Sequence, residues 1–527
     1  MECCTVDACA SCQAMREVEI KLSEAEALVE RLNREKHRLK SNMNSAHDPL
    51  ARWLPREVTA RIFVLCMPTF PVEDYILNRR RDTPRKFVGI LSSVCTGWRD
   101  IAQSTPQLWN VLCMLLPASD SLLQGIEAHL SRSGDLPLMI QIERKWDAYR
   151  GDHTHPSEYD KIFDALNRHS HRWHTLELHA MLHISSRLEG STVTGAPRLD
   201  TLRMSSVGEG QSSETRFKLL HSPPSPSTVA IQGFHINTVH IDWSAVTRLD
   251  VEFLSVDDCV NILRHAPRLE RLQNQIPGTN HNDTLDDHER YNITHQNLRT
   301  WNLRCSTDLS QIEMLFDLLT LPALKSMSLA TDRPFHSLKR LIIRSSCHLT
   351  HFKLMNTLDG NDDLTSLLWM MPDIVDLRLG VSRCSCTQEL FELLGSTTAL
   401  PHDSDEEIKF LPQLEKFCFG PGDKWNPAAR PHWPSIPTWF PHARAEPDPR
   451  TYRPLSNVHI RVDVKTNFPS ELEIYVIERD TIPKLLDVVQ EGFNLTITNI
   501  SGKKGEKDFL RYCQGYYNHH DEKNSDP

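Results

Sequence analysis

The chain has no apolar run long enough to cross a membrane; the longest candidate, VLCMLLPA at 111–118, is far shorter than the ~18 residues a span needs. Its opening stretch, MECCTVDACASCQAMREVE, has no apolar h-region, so a chain that is neither secreted nor membrane-bound is expected. It also lacks the G-x-S-x-G, P-loop, G-x-G-x-x-G and H-E-x-x-H signatures. An excess of positive charge is absent too: 59 Lys and Arg stand against 69 Asp and Glu, a net charge of −10. Binding nucleic acid by bulk counterion release needs a basic face, so no nucleic-acid partner is expected.

What is present points to several structural units. At 527 residues and 39% hydrophobic content the chain can bury a sizeable core and still leave long polar connections. Fourteen cysteines without a secretory signal read as free, buried thiols in a reducing, intracellular compartment, cytoplasm or nucleus. Cys3, Cys4, Cys9 and Cys12 crowd a tail over residues 1–14. Cys9-x-x-Cys12 has the spacing of a zinc pair but no second pair follows, which leaves a zinc site and a metal-free tail both open. Cys384-x-Cys386 is too close for the usual pair. His169, His171, His174 and His179 read as surface histidines, and Cys95 as a core thiol without a placed base. No catalytic residue, metal or cofactor is assigned, and the chain is expected not to be an enzyme.

Residues 15–47 read as a helix. Val18, Leu22, Ala25, Val29, Leu32, Lys36, Leu39 and Met43 step alternately by four and three residues, a heptad seam with one lysine in it. Two readings follow over 15–43: a short coiled coil that makes a homodimer, or a solvated helix folded back on its own unit.

Residues 48–112 carry a compact helical unit. Leu54-Pro55 opens a helix with proline just inside it. Val58, Ile62, Leu65 and Cys66 then form one apolar stripe. A second helix is expected over 88–104, with Val88, Leu91, Val94, Cys95, Trp98 and Ile101 on one face, and STPQLW begins a third short turn. The segment between, 69–87, contains Arg79-Arg80-Arg81 and Arg85-Lys86 and reads as a solvated loop. These residues, Leu54-Pro55-x-Glu57-Val58…Ile62-Phe63, Val94-Cys95…Trp98-Arg99 and Leu108-Trp109, resemble the F-box, and more narrowly the F-box proteins numerous in mushroom-forming fungi. The resemblance implies a trihelical module that docks onto the Skp-type adaptor, and through it the cullin, of a cullin–RING ubiquitin ligase. Leu54, Pro55, Val58, Ile62, Leu65, Val94, Cys95 and Trp98 would face the adaptor. The gap at 69–87 is longer than usual for that family.

From residue 173 the pattern apolar-x-x-apolar-x-apolar recurs, as in WHTLEL, LDTLRM, LRTWNL, LKSMSL, LTHFKL, IVDLRL and LEKFCF. Starts at 298, 324, 349 and 374 are 25 or 26 residues apart, in the range of leucine-rich repeats. Helical stretches at 255–267, 308–322, 335–347, 361–372 and 387–397 fall between them. The expected fold class is therefore α/β: a coiled-coil helix, a trihelical F-box, a linking segment over 113–172, and an irregular leucine-rich-repeat solenoid over 173–500. Insertions are expected at 205–228 and 400–454, the second too rich in proline for regular structure, and a disordered polar tail at 501–527. The F-box layout also matches the fungal family over most of the chain, where the F-box subunit performs no bond chemistry and positions a target protein. In each repeat strand the polar residue between the last two apolar sites should point outward: Arg203, Asn302, Ser328, Lys353, Arg378 and Cys418. They are the candidate target-binding positions. A repeat scaffold without ligase coupling is the alternative.

Overall fold

The computed structural model describes residues 10–47, 50, 53–68, 84–116, 120–144, 159–180, 182–205, 216–252, 254–276, 292–305, 309–330, 335–357, 364–382, 387–396, 410–421, 431–440, 453–464, 476–500 and 507–524. They are mixed α/β and fall into two compact units. The first unit comprises residues 1–199 and 219–222, and the second comprises 200–218 and 223–527. No helix among the described residues is long and apolar enough to cross a membrane.

The first unit begins with α1 (Ala10–His47), one uninterrupted helix that contains the predicted heptad seam. Three short helices follow: α2 (Arg56–Leu65), α3 (Pro84–Val94) and α4 (Thr96–Gln103). The expected single helix over 88–104 is thus two helices. The break falls at Cys95, whose extended backbone (φ −155°, ψ 173°) cannot continue α3, and whose Sγ accepts from the Trp98 N–H at 3.4 Å to cap α4. The third turn, Pro106–Leu108, is a single turn of 3-10 helix. Phe63, Val88, Leu91, Ile101, Ala102 and Leu108 make the small shared core, with Leu50, Phe87, Trp98 and Trp109 packed at its edge. Segment 69–83 lies outside the described residues, as do the N-terminal cysteines at 3, 4 and 9.

The expected linking segment 113–172 is part of a folded sheet. Strands β1 (Val111–Leu116), β2 (Leu138–Arg144) and β3 (Trp173–His179) pair in parallel and in order. Helices Asp120–Arg132 and Asp160–Arg168 occupy the two connections. Between Trp109 and the first of these helices, Arg132 stacks over the indole at 4.6 Å and His129 meets its edge at 5.2 Å.

Among the described residues of the second unit, one device recurs eleven times. Its parallel strands are β4 (Thr201–Ser205), β5 (Thr228–Gln232), β6 (Arg248–Val251), β7 (Arg271–Ile276), β9 (Thr300–Cys305), β11 (Ser326–Ala330), β12 (His351–Thr357), β13 (Asp376–Ser382), β14 (Lys416–Gly420), β15 (Asn457–Val462) and β16 (Asn494–Asn499). Strands β8 (Ile293–Thr294) and β10 (Leu319–Thr320) form a separate parallel pair. Helices lie between strands at Val256–His265, Leu309–Leu318, Phe335–Ser345, Leu364–Trp369, Thr387–Ser396 and Ile482–Gln490. Residues alternate along most of these strands, so that Leu202 and Met204, Met327 and Leu329, or Phe352 and Leu354 are buried while the residues beside them are not. Each such side chain taken from water is worth about 1.5–3 kcal/mol, before the cost of ordering the chain.

The first apolar site of each repeat lies in a turn ahead of the strand, as Leu199, Leu269, Leu324 and Ile374 do. One carbonyl then accepts two N–H groups from the start of the next strand. Arg299 accepts from Lys325 and Ser326, Lys325 from Thr350 and His351, and Thr350 from Val375 and Asp376, all at 2.8–3.1 Å. The same joint recurs at Asp200, Ser227, Thr247, Glu270, Val375 and Glu415.

Three expectations for the second unit need correction. The 205–228 insertion ends in a further strand, β5, with Pro226 buried where other repeats place leucine. The proline-rich stretch holds a 3-10 helix, Trp433–Trp439, whose two tryptophans are fully buried; Trp439 donates to the Phe391 carbonyl at 2.9 Å. β15, after that stretch, stays in register with β14. The expected polar tail instead adds an antiparallel strand, β17 (Lys507–Asp508), and a helix, Phe509–Asn524, that buries Phe509, Leu510 and Cys513.

Polar side chains close helix ends whose last carbonyls have no partner within the helix. Arg453, buried, bonds the carbonyls of Leu394, Phe410 and Leu411 at 2.8–3.1 Å. Burial lowers its guanidinium to about 10. Arg344 reaches the carbonyls of Phe316 and Leu319. His295 donates from Nε2 to the Ala266 carbonyl at 3.0 Å, while its Nδ1 accepts the Leu298 N–H at 3.1 Å.

Candidate protein-interaction surfaces

The first candidate surface is the outer face of α2. Pro55 sits one residue ahead of the helix, as its N-cap, rather than inside it. Its carbonyl accepts the N–H groups of Val58 and Thr59, both at 3.1 Å, and fixes the first turn. Thr59 and Phe63, four residues apart, are buried. That phase turns Val58, Ile62 and Leu65 the other way. Pro55, Val58 and Leu65 are exposed, Leu65 at 69%, and Leu54 and Ile62 are half-buried.

The other three predicted contact residues serve the module itself. Cys95 is 1% exposed and caps α4, so it offers no surface to a partner. Trp98 lies half-buried with its ring 4.8 Å from that of Phe63, locking α4 onto α2. Val94 is half-buried, and its carbonyl accepts from the Asn44 side chain of α1 at 2.6 Å. Two exposed residues were missing from the sequence reading. Trp53 stands 77% exposed just ahead of Leu54, and Ile90 is 54% exposed on α3. The phase of α3 contains the signal for Ile90, since Val88 and Leu91 point inward.

The second candidate surface is the strand face of the second unit. The strand register aligns the predicted residues: Asn302 with Ser328, Ser328 with Lys353, Lys353 with Arg378, and Arg378 with Cys418. Lys353 and Arg378 are exposed, and Arg203, Asn302, Ser328 and Cys418 are half-buried. Neighbouring strands are ~4.8 Å apart, so the row presents a polar or charged group at that interval. The sequence reading omitted Asp250, Gln273 and His459, which belong to the same row. Gln273 accepts from Asn302 Nδ2 at 3.2 Å, and Arg378 grips Asp376 with two bonds of 3.0 and 2.9 Å. Burial raises the Asp250 carboxyl, opposed by the pull of Arg304 and Arg203.

The polar residues that fold inward are less suited to chemistry. In the first unit, burial and then Glu177 push Glu143 up to about 7, although Gln141 Nε2 donates to its carboxylate at 2.8 Å. Burial pushes the Cys113 and Cys259 thiols up to about 12 and Cys513 to about 11, which keeps them protonated and unreactive. The rings of His169 and His171 are 6.3 Å apart. Among the described residues no group of three or more His, Cys, Asp and Glu could hold a metal ion. An open cleft of about 660 Å³ in the first unit is lined by charges of both signs, including Glu127, Lys161, Asp164 and Arg168.

Neither a protein-family model nor a curated protein matches this chain.

Proposed function

We propose that this chain is a substrate-recognition subunit of a cullin–RING ubiquitin ligase, an F-box followed by irregular leucine-rich repeats. The observation that carries the reading is the division of α2 into two faces. Thr59 and Phe63 hold the helix to its own core, and Pro55, Val58 and Leu65 stand in solvent with Leu54 and Ile62 beside them. An apolar stripe left uncovered on a small module is the chemistry of a docking face. In this reading it binds a Skp-type adaptor and, through it, a cullin. The in-register polar row on the strand face of the second unit takes the target protein. The chain performs no bond chemistry; tethering raises the local concentration of the target's lysines at the ligase.

Co-purification of the full chain with a Skp-type adaptor tests this, beside the Leu54→Ala/Pro55→Ala variant. Each lost anchor should cost about 1–3 kcal/mol of adaptor affinity. Both residues lie outside the buried core, so the variant keeps its fold. If the unaltered chain does not bind the adaptor, the repeat scaffold without ligase coupling takes its place.

A further inference from the structure

The apolar seam of α1 is not covered by its own unit. Val18, Leu22, Val29, Leu32, Leu39 and Met43 are 49–61% exposed along a helix of 38 residues, about 57 Å long. The helix is tied down at its C-terminal end, where Asn44 bonds the Val94 carbonyl. An isolated helix that leaves such a stripe in water gains nothing from tertiary packing.

We propose that α1 pairs with α1 of a second copy of this chain as a parallel, in-register, two-stranded coiled coil. The flanking charges choose the occupant and its direction. In heptad terms Met15, Leu22, Val29, Lys36 and Met43 are a positions, and Val18, Ala25, Leu32 and Leu39 are d positions. The g positions ahead of the a residues are then Lys21, Leu28, Glu35 and Asn42, and the e positions after the d residues are Glu19, Glu26, Asn33 and Lys40. In a parallel in-register pair each g residue faces the e residue five places further along the other helix. Lys21 meets Glu26 of the second copy, and Glu35 meets Lys40 of the second copy. The two-fold axis doubles both, and no like charges oppose each other along these flanks. An antiparallel pair sets g against g and e against e, which separates both matches. Aligned so that Lys21 meets Glu35, it also brings Glu26 against Glu26.

The lysine in the seam fits the same arrangement. The hole that receives Lys36 is walled in part by Glu35 of the second copy, which supplies its counter-charge. A single polar a residue of this kind lowers affinity but selects register and a two-stranded state. Val29 at a with Leu32 and Leu39 at d favours two strands as well. This assembly is independent of the adaptor surface on α2.

Sedimentation equilibrium of the full chain between about 1 and 50 μM tests the proposal, since non-covalent association is concentration-dependent. A species of twice 60.5 kDa is expected. Leu32→Asp/Leu39→Asp should weaken it at least ~100-fold, with a thermal melt of the monomer unchanged because both side chains are exposed in the chain. Direction is read separately. Lys21→Glu should weaken the dimer about 5- to 10-fold at low salt, and adding Glu26→Lys should restore it. Val18→Cys should cross-link to its own twin under mild oxidation, beyond the level of the unsubstituted chain. A monomer throughout this range, or a dimer indifferent to the Leu32 and Leu39 changes, overturns the proposal. So does a dimer that neither the charge swap restores nor Val18→Cys cross-links.

Discussion

The helical module around α2 and the strand array of the second unit solve the same problem of burial differently. The module concentrates its core in one place, where Phe63 lies in a single cluster with Val88, Leu91, Ile101, Ala102 and Leu108. The array spreads its core along the chain, strand by strand, with the same double hydrogen bond at the joints from β4 to β15. The difference teaches where each part is vulnerable. A central core fails at one residue, whereas a distributed core fails at its seams, where a buried polar group holds two segments together.

That comparison breaks most sharply at Phe63. Phe63→Ala should cost about 3–5 kcal/mol and melt the module, whereas Leu329→Ala should cost less and open only the strands beside it. Hydrogen exchange across the whole chain would show one region losing protection in the first variant and a local window in the second. Next comes Arg453→Met. It orphans three buried carbonyls that close a helix and a turn, at a cost of about 3 kcal/mol. Chemical denaturation measures it, and a cost near zero would mean those carbonyls find other partners.

A smaller effect sharpens the picture of the array's core. Asn274 lies in the row of buried residues, and its Oδ1 accepts the Trp301 indole N–H at 2.9 Å. Asn274→Ala should cost about 1–3 kcal/mol, and Asn274→Leu/Trp301→Phe should recover most of it because both polar partners leave together. Smaller again is a pH effect in the first unit. The Glu143 carboxyl, pushed up to about 7 from its usual 4.5, keeps a proton that the unfolded chain has already released. Stability therefore falls as pH rises between those two values. Glu143→Gln removes the charge and keeps an acceptor for Gln141. It should stabilise the chain by about 1 kcal/mol at pH 8, after discounting for screening at a half-buried site, and leave it unchanged at pH 4. Melting curves at both pH values decide it. Lys353→Glu, on the exposed strand face, should change stability by less than about 0.5 kcal/mol, and would affect only binding.

Much of this architecture is legible in the residues themselves. The seam of α1 and the phased strands from 298 to 374 show because a fixed apolar period survives in them. β2, β5 and β16 escape the pattern because the first apolar site of their repeats is Pro137, Pro226 or Gly492 in place of leucine. β1 fits the pattern with Trp109 first, but Trp109 also closes the helical module, which masks its role as the first site of a repeat. Cys95 is the core thiol its sequence suggests, but it ends one helix rather than continuing it, for a physical reason. A thiol counts as apolar in a periodic stripe, and only the backbone geometry reveals it as a cap that ends one helix and begins another. On α2 the three predicted residues Val58, Ile62 and Leu65 lie on the side that the helical phase turns away from the core, because Thr59 and Phe63 fix that phase from inside.

The repeated joint has a consequence for how such a chain changes length. Lys325 and Thr350 occupy equivalent places, each giving its carbonyl to the next strand and its N–H to the previous one. Excising residues 326–350 would bring His351 to the Arg299 carbonyl and Val375 to the Lys325 carbonyl through identical junctions, with β12 taking the place of β11 beside β9 in the same register. The second unit is in this sense a ruler graduated in whole repeats: duplication or loss of one graduation moves everything beyond it by one strand spacing and alters no junction.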